Sequence, residues 1–283
     1  MKICWFDEKR LGVVAGDKVY DVTAALRVLP TARYPAAPGD LFIAHLPAVV
    51  KEIEQLLPQA TTKAVADVCL LSPVQNPSKI IGTPANYLKH AEEADAHPEV
   101  FTTRYVGSIE EQGLFLKATS SLVGCGEGVR VRFPDRRTDH EVELGVVIGR
   151  EANNISEQEA LDYVAGYAIA LDMVVRGSED RSFRKSVQTY AVLGPWLVTA
   201  DEIKDPQNLD FRISVNGSVR QSSNTKLMIM NLSKQISWAS SFYTLYPGDI
   251  LMSGTCEGVG QVRPGDIMEC EIESIGSMTV SVS

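Results

Sequence analysis

The feature that most constrains this chain is an apolar run interrupted by two carboxylates: Asp139-His140-Glu141-Val142-Glu143-Leu144-Gly145-Val146-Val147-Ile148-Gly149. Read as a strand, its side chains alternate between faces, so Glu141 and Glu143 share one face while Val142, Leu144, Val146 and Ile148 share the other. The two carboxylates then stand about 7 Å apart at Cα, where like charges in a partly buried site repel by roughly 2 kcal/mol at an effective dielectric near 20. A cation between them reverses that sign. Taken alone, the pair also describes an edge strand with a solvated acidic face, so the rest of the chain has to decide.

Of the 283 residues, 45% are hydrophobic, enough to bury one large core or a large and a small one. Acidic residues outnumber basic ones 36 to 27, a net charge of -9, and no basic block interrupts the chain. A nucleic-acid or membrane-surface role therefore has no electrostatic support, and a small molecule is the expected partner. The start, Met1 to Arg10, lacks the apolar run of a secretory signal, and no stretch has the length of a transmembrane helix. Cys4, Cys69, Cys125, Cys256 and Cys270 are odd in number, scattered, and without a Cys-x-x-Cys pair. Reduced thiols and a cytoplasmic location are the expectation.

Residues 1–72 read as a small α+β unit, with strands at Lys2-Phe6, Arg10-Ala15 and Lys18-Asp21 and helical patterning over Ala24-Leu29 and Ala48-Leu57. His45, alone among apolar neighbours, reads as a packing histidine. Two prolines within Leu71 to Pro77 mark a linker, and residues 73–283 form the second, catalytic unit.

In that unit, a helix over Asn86 to Ala94 places His90 and Glu93 three residues apart on one face. A carboxylate bonded to one ring nitrogen fixes the tautomer and leaves the other nitrogen to take a proton from water; a solvated helix face has the same spacing. Residues 95–113 read as a long loop, a lid. Leu114 to Lys117 returns to strand and ends on a lysine. Gly124-Cys125-Gly126-Glu127-Gly128 lacks the Gly-Lys-Ser/Thr of a phosphate loop, which discounts nucleotide binding. Ser156-Glu157-Gln158-Glu159 reads as a capping box opening a helix over Ala160 to Val164. Asp172 then sits in the near-continuous apolar run Gly166 to Val175, where an ionised carboxylate is costly unless metal-bound or paired, with Arg176 the nearest candidate partner. Three carboxylates without histidine or cysteine make a hard oxygen site, suited to Mg2+ or Mn2+ rather than zinc. Arg176, Arg181, Arg184 and Lys185 add local positive charge for an anionic ligand, or else form a solvated loop. The remainder is β-rich, with a hairpin turn at Asn216-Gly217 and a glycine-rich stretch, Ser253 to Gly260, in which Thr255 can donate a hydrogen bond.

From Lys79 onward the ordered motifs Asn-Tyr-x-x-His-x-x-Glu at 86–93, Leu-Phe-Leu-Lys at 114–117, Glu-x-Glu at 141–143, Leu-Asp at 171–172, Lys-Ser at 185–186, Gly-Pro-Trp at 194–196, Arg-Gln at 220–221 and Tyr-Pro-Gly-Asp leading to Ser-Gly-Thr resemble the fumarylacetoacetate hydrolase family. The resemblance implies a predominantly β, α+β fold: a mixed β-sandwich roll with a small N-terminal domain, assembled as a homodimer. It also implies a Mg2+ or Mn2+ ion on Glu141, Glu143 and Asp172, a His90–Glu93 dyad on a lid, Lys185 beside the reacting atoms, and Lys117, Arg176, Gln221 and Thr255 as substrate contacts. The chain departs from the family at Glu179, where a neutral amide is usual, at Cys256, where proline is usual, and in its long His90 to Lys117 interval.

The expected reaction is hydrolysis of a carbon–carbon bond in a β-diketo acid of the acylpyruvate or fumarylpyruvate type. The ion chelates the 2-keto acid end as a Lewis acid, His90 activates water, and Lys185 offsets oxyanion charge. Decarboxylation or isomerisation of a related 2-keto acid uses the same parts. A catalytically silent keto-acid binder is the reading of another class.

Overall fold

The computed structural model describes residues 1–97, 100 and 109–283. Residues 98–99 and 101–108 of the expected 95–113 lid lie outside the described residues; of its remainder, Ile109–Gln112 is a short helix.

The fold is predominantly β. A long sheet runs in the order Thr62–Ala64, Lys18–Asp21, Arg10–Ala15, Lys2–Phe6, Ala191–Thr199, Val164–Asp172, Val142–Ile148, Ile250–Met252, Ile80–Gly82, Phe115–Lys117. A four-stranded antiparallel sheet (Ser218–Asn224, Asp210–Val215, Ile267–Ile272, Gly276–Ser281) packs against it, and a three-stranded sheet (Val174–Val175, Thr138–His140, Gly260–Val262) lies at the end of the central strands. Asn216 and Gly217 both have positive φ, 50° and 77°, the conformation a tight two-residue hairpin demands, which is why this dipeptide turns the chain there.

Period-2 alternation in Val142–Ile148 feeds two cores. Val142, Leu144, Val146 and Ile148 pack with Phe211, Ile213, Met268 and Val280 of the four-stranded sheet. Val147, on the face of Glu143, packs instead with Ile3, Trp5, Phe42, Leu46 and Ile53 from the N-terminal segment. The strand is thus central, flanked by Val164–Asp172 and Ile250–Met252, and buried along its whole length. An edge strand with a solvated acidic face is excluded by this pairing. The alternating pattern could not reveal it, because part of what covers Val147, on the acidic face downstream of the carboxylates, comes from the N-terminal segment, more than 90 positions away.

Residues 1–72 join the remainder directly. Lys2 and Ile3 pair with Val198 and Leu197, and the core beneath Val147 is built from both segments. His45 is half-buried, with Nδ1 3.0 Å from the Leu41 carbonyl oxygen. The capping box expected at Ser156 does not form. Ser156 Oγ donates to the Glu159 side chain (2.7 Å), and the chain makes one 3-10 turn, Ala160–Tyr163, before entering the strand at Val164. The strand's ladder to Val142–Ile148 supplies far more backbone bonds than a further helical turn would. Among the described residues no helix is long and apolar enough to cross a membrane.

Candidate metal centre

Antiparallel register builds the site. Val142 lies opposite Leu171 and Glu143 opposite Ala170, and the Asp172 N–H donates to the Glu141 carbonyl (2.9 Å), extending the ladder by one step. Residues directly opposite point to the same face, so Glu141, Glu143 and Asp172 converge. Each offers a carboxylate oxygen, all within 4.8 Å of one another, and all three are buried. The small Ala170 opposite Glu143 keeps that face open.

Buried cations hold the cluster. Lys185 Nζ donates to Glu141 Oε2 and to Asp172 Oδ2, each at 2.5 Å. Lys117 Nζ, fully buried, pairs with Asp172 Oδ1 and also donates to the Tyr190 carbonyl (2.9 Å). Arg176 does not partner Asp172. It bonds Asp139 (2.7 Å) and reaches Glu141 Oε1 at 3.3 Å, while Arg137 bonds the other Asp139 oxygen (2.6 Å). Glu179, the departure noted in the sequence, turns away to a bidentate pair with Arg136. Arg176 and Lys117 therefore act here as counter-ions of buried carboxylates.

The three carboxylates do not share charge equally. Burial works against ionisation at Glu141, yet Lys185 and Arg176 hold it well below the ordinary carboxylate range. Glu143 is pushed well above that range by burial and by the charges of Asp172 and Glu141; its acceptor bond from the Gly254 N–H (2.8 Å) offsets only part of this. Lys117 is lowered by burial, whereas Lys185 is raised, the pull of Asp172 and Glu141 overcoming its burial. Three buried oxygen donors, one of them short of positive charge, fit a hard divalent cation. With its carboxyl raised in this way, Glu143 has to give up a proton to such an ion wherever the pH lies below its elevated value. Calorimetric titration of Mn2+ in buffers of differing protonation enthalpy should show up to one proton released per ion, with affinity rising roughly tenfold per pH unit below the elevated Glu143 value and levelling above it. An affinity independent of pH through the neutral range would mean that Glu143 is already ionised.

His90 sits on the helix Leu88–Ala96, with Nδ1 3.1 Å from Glu93 Oε2; Glu93 Oε1 accepts from the Gly258 N–H (3.0 Å). Burial opposes the Glu93 charge, but these two bonds keep its carboxyl below the usual range. His90, Thr255, Lys185 and the three carboxylates line one narrow cleft. A wider groove beside the helix Leu46–Leu56 gathers Lys51, Glu54, Asp201 and Glu202, but all four are solvated and none converges on a buried centre.

Gln221 lies behind the cleft. Its Oε1 accepts from the Val142 N–H and lies 3.1 Å from His140 Nδ1, while its Nε2 donates to Thr255 Oγ1 (2.7 Å) and the Cys256 carbonyl (2.8 Å). Thr255 in turn donates its hydroxyl to the Val142 carbonyl. The pair clasps the acidic strand to the glycine-rich loop, with the Thr255 proton committed to the Val142 carbonyl, and Thr255 also lines the cleft. Sequence reasoning missed Asn86 as a bracket: its amide bonds Met230 on both its N–H and its carbonyl, and also the Ser253 carbonyl. It missed Asp139 as the carboxylate that occupies Arg176. The signals were present, as a buried amide between two glycine-containing stretches and a third acid beside Glu-x-Glu, but neither says which distant group it meets.

Residues 79–283 match the fumarylacetoacetate (FAA) hydrolase C-terminal family. A maleylpyruvate hydrolase of Aquipseudomonas alcaligenes is 54% identical over 284 residues, covering 100% of this chain and 99% of that protein. A 2,4-didehydro-3-deoxy-L-rhamnonate hydrolase of Sphingomonas sp. (strain SKA58) is 35% identical over 300 residues, covering 100% and 96%. Among solved structures, maleylpyruvate hydrolase from Sphingobium sp. SYK-6 in complex with manganese(II) and pyruvate superposes with a TM-score of 0.83 at 37% identity, covering 100% of this chain and 98% of the other.

Proposed function

This chain belongs to the fumarylacetoacetate hydrolase family, and from that premise we propose that it is a divalent-metal-dependent hydrolase of an acylpyruvate, splitting the carbon–carbon bond between the acyl carbonyl and the pyruvate methylene. The observation that carries the reading is the convergence of Glu141, Glu143 and Asp172 beside His90 in one cleft. Likeness along the whole chain to a maleylpyruvate hydrolase supports the substrate class, and the manganese and pyruvate held by the Sphingobium relative support Mn2+, or Mg2+ with the same hard-oxygen preference, and a keto-acid ligand.

Glu141, Glu143 and Asp172 would hold the ion, which when bound supplies Lewis-acid charge to the keto-acid end of the substrate. Glu93 accepts a hydrogen bond from the Nδ1–H of His90, so Nε2 is the atom that takes a proton from water as its oxygen adds to the acyl carbonyl carbon. The carbon–carbon bond then breaks, its electron pair goes to the pyruvate fragment, and that carbon is protonated. The products are a carboxylic acid and pyruvate. Lys185, beside Glu141 and Asp172 and over the Phe115 ring, offsets negative charge that builds up during addition.

Carbon-13 NMR of the products from a panel of 2,4-diketo acids tests the reading. Two new carboxylate-bearing products are expected; carbon dioxide would indicate decarboxylation, and an unchanged formula isomerisation. Both full-length relatives described above are hydrolases, which favours the first outcome.

A further inference from the structure

We infer that Gln221 is a positioning residue whose amide sets where the His90–Glu93 dyad stands relative to the three carboxylates, an assignment that rests, where turnover is read, on the hydrolase reading above. Gln221 lies on Ser218–Asn224, the end strand of the four-stranded sheet, and is buried while Arg220 and Ser222 on either side are exposed. Its amide reaches inward to Val142, the residue between Glu141 and Glu143. The ladder from Val142–Ile148 to Ile250–Met252 covers Gly145 to Val147, so the Val142 backbone lies past its end. There Gln221 Oε1 accepts from the Val142 N–H (3.1 Å), the Thr255 hydroxyl donates to the Val142 carbonyl (2.8 Å), and Gln221 Nε2 closes the ring by donating to Thr255 Oγ1. Side chains thus supply the rung that the neighbouring strand, having peeled away, does not.

The same amide also holds the loop on which the dyad rests. Gln221 Nε2 donates to the Cys256 carbonyl (2.8 Å), and two residues on, the Gly258 N–H donates to Glu93 Oε1 (3.0 Å), whose other oxygen faces His90 Nδ1. Gly258 is seated from the same strand: its φ is 89°, and a Cβ there would stand 2.0 Å from the Arg220 carbonyl oxygen. Residues 255–259 form no strand, so no ladder fixes them, whereas Val142–Ile148 is laddered on both flanks. Loss of the Gln221 amide therefore shifts Gly258, Glu93 and the imidazole and leaves the carboxylates in place. The amide also has a single orientation that serves its neighbours. A backbone N–H only donates, so Val142 fixes Oε1 on its own side, and His140 Nδ1, 3.1 Å from that oxygen, has to carry the ring proton.

The test is a cycle of wild type, Gln221→Met, Glu93→Ala and the double variant, each checked by thermal melting, on maleylpyruvate. Gln221→Met keeps the length and removes the amide; kcat should fall roughly 10-fold through a misplaced dyad, while KM and Mn2+ affinity stay within about threefold of wild type. In the double variant kcat should match Glu93→Ala within about twofold, because Gln221 acts through Glu93. The assignment is overturned by a kcat within about twofold of wild type in Gln221→Met, by losses that multiply in the double variant, or by Mn2+ binding weakened more than about tenfold. Nitrogen-15 NMR of the histidine side chains with Mg2+ present needs no turnover. In wild type His140 should carry its proton on Nδ1, and an Nε2-protonated ring there overturns the assignment without any variant. In Gln221→Met the His90 Nδ1–H signal should broaden through exchange as Glu93 loosens. If wild type cleaves no acylpyruvate yet that signal depends on Gln221, the hydrolase reading falls and the assignment stands. If maleylpyruvate is cleaved and neither kcat nor the signal responds to Gln221→Met, the assignment falls and the hydrolase reading stands.

Discussion

Asp172→Ala should lose turnover by on the order of 10³-fold or more, lose stoichiometric Mn2+ binding, and unfold more readily, all from one substitution. The first two effects follow from removing one of three converging oxygen ligands, since Lewis-acid charge worth several kcal/mol of barrier goes with the ion. The third follows from what Asp172 does without the ion. It accepts from Lys117 and from Lys185, both buried, and among the described residues Lys117 has beyond it only backbone carbonyls of Tyr190 and, at 3.4 Å, Met173. Stripping a buried ammonium of its counter-ion typically costs about 3–5 kcal/mol. The double variant Asp172→Ala with Lys117→Met should therefore recover much of the stability while recovering neither metal nor activity. Urea unfolding, Mn2+ calorimetry and a pyruvate-release assay read the three quantities separately. Wild-type Mn2+ affinity in Asp172→Ala would remove this residue from the centre.

How much of this was readable beforehand follows the range over which each interaction acts. Strand boundaries near the start and the Asn216-Gly217 hairpin express periods and turn conformations confined to a few residues, and the sequence patterns match the structure there. Convergence of Glu141 and Glu143 with Asp172 was legible because one local cue, a carboxylate stranded in an apolar run, demanded a partner. Its other partners were not legible. Nothing in the spacing of Lys117, 55 positions from Asp172, says that its ammonium is buried against it, and for Lys185 spacing gives only a charge in a basic segment, the resemblance alone setting it beside the reacting atoms. Gln221 and Thr255 are expected as substrate contacts on the family resemblance alone; that they bolt the Val142 backbone to the loop at Cys256 is something no local pattern announces. Ser156 shows the opposite failure, where a locally sound helix signal loses to a ladder formed with a strand already in place.

The second large effect is expected at the dyad, and it carries a signature that separates orientation from mere proximity. His90→Ala should lower kcat by about 10²–10⁴-fold, the usual worth of a positioned general base, while Mn2+ affinity stays within a few-fold of wild type because the imidazole is not among the converging carboxylates. Glu93 is more informative. One of its oxygens faces His90 Nδ1 and the other accepts from the Gly258 N–H, so a glutamine at this position must keep its oxygen on Gly258 and turn its amide nitrogen toward the ring. An amide donor facing Nδ1 selects the tautomer that carries its proton on Nε2, the atom required to accept one from water. Glu93→Gln, though nearly isosteric, should then fall almost as far as His90→Ala, whereas Glu93→Ala, which leaves the ring to choose its tautomer, should fall less. Stopped-flow turnover of the three variants at saturating Mn2+ gives the order directly. If Glu93→Gln turns over faster than Glu93→Ala, the carboxylate is not fixing the proton on Nδ1 and His90 does not work as the oriented base.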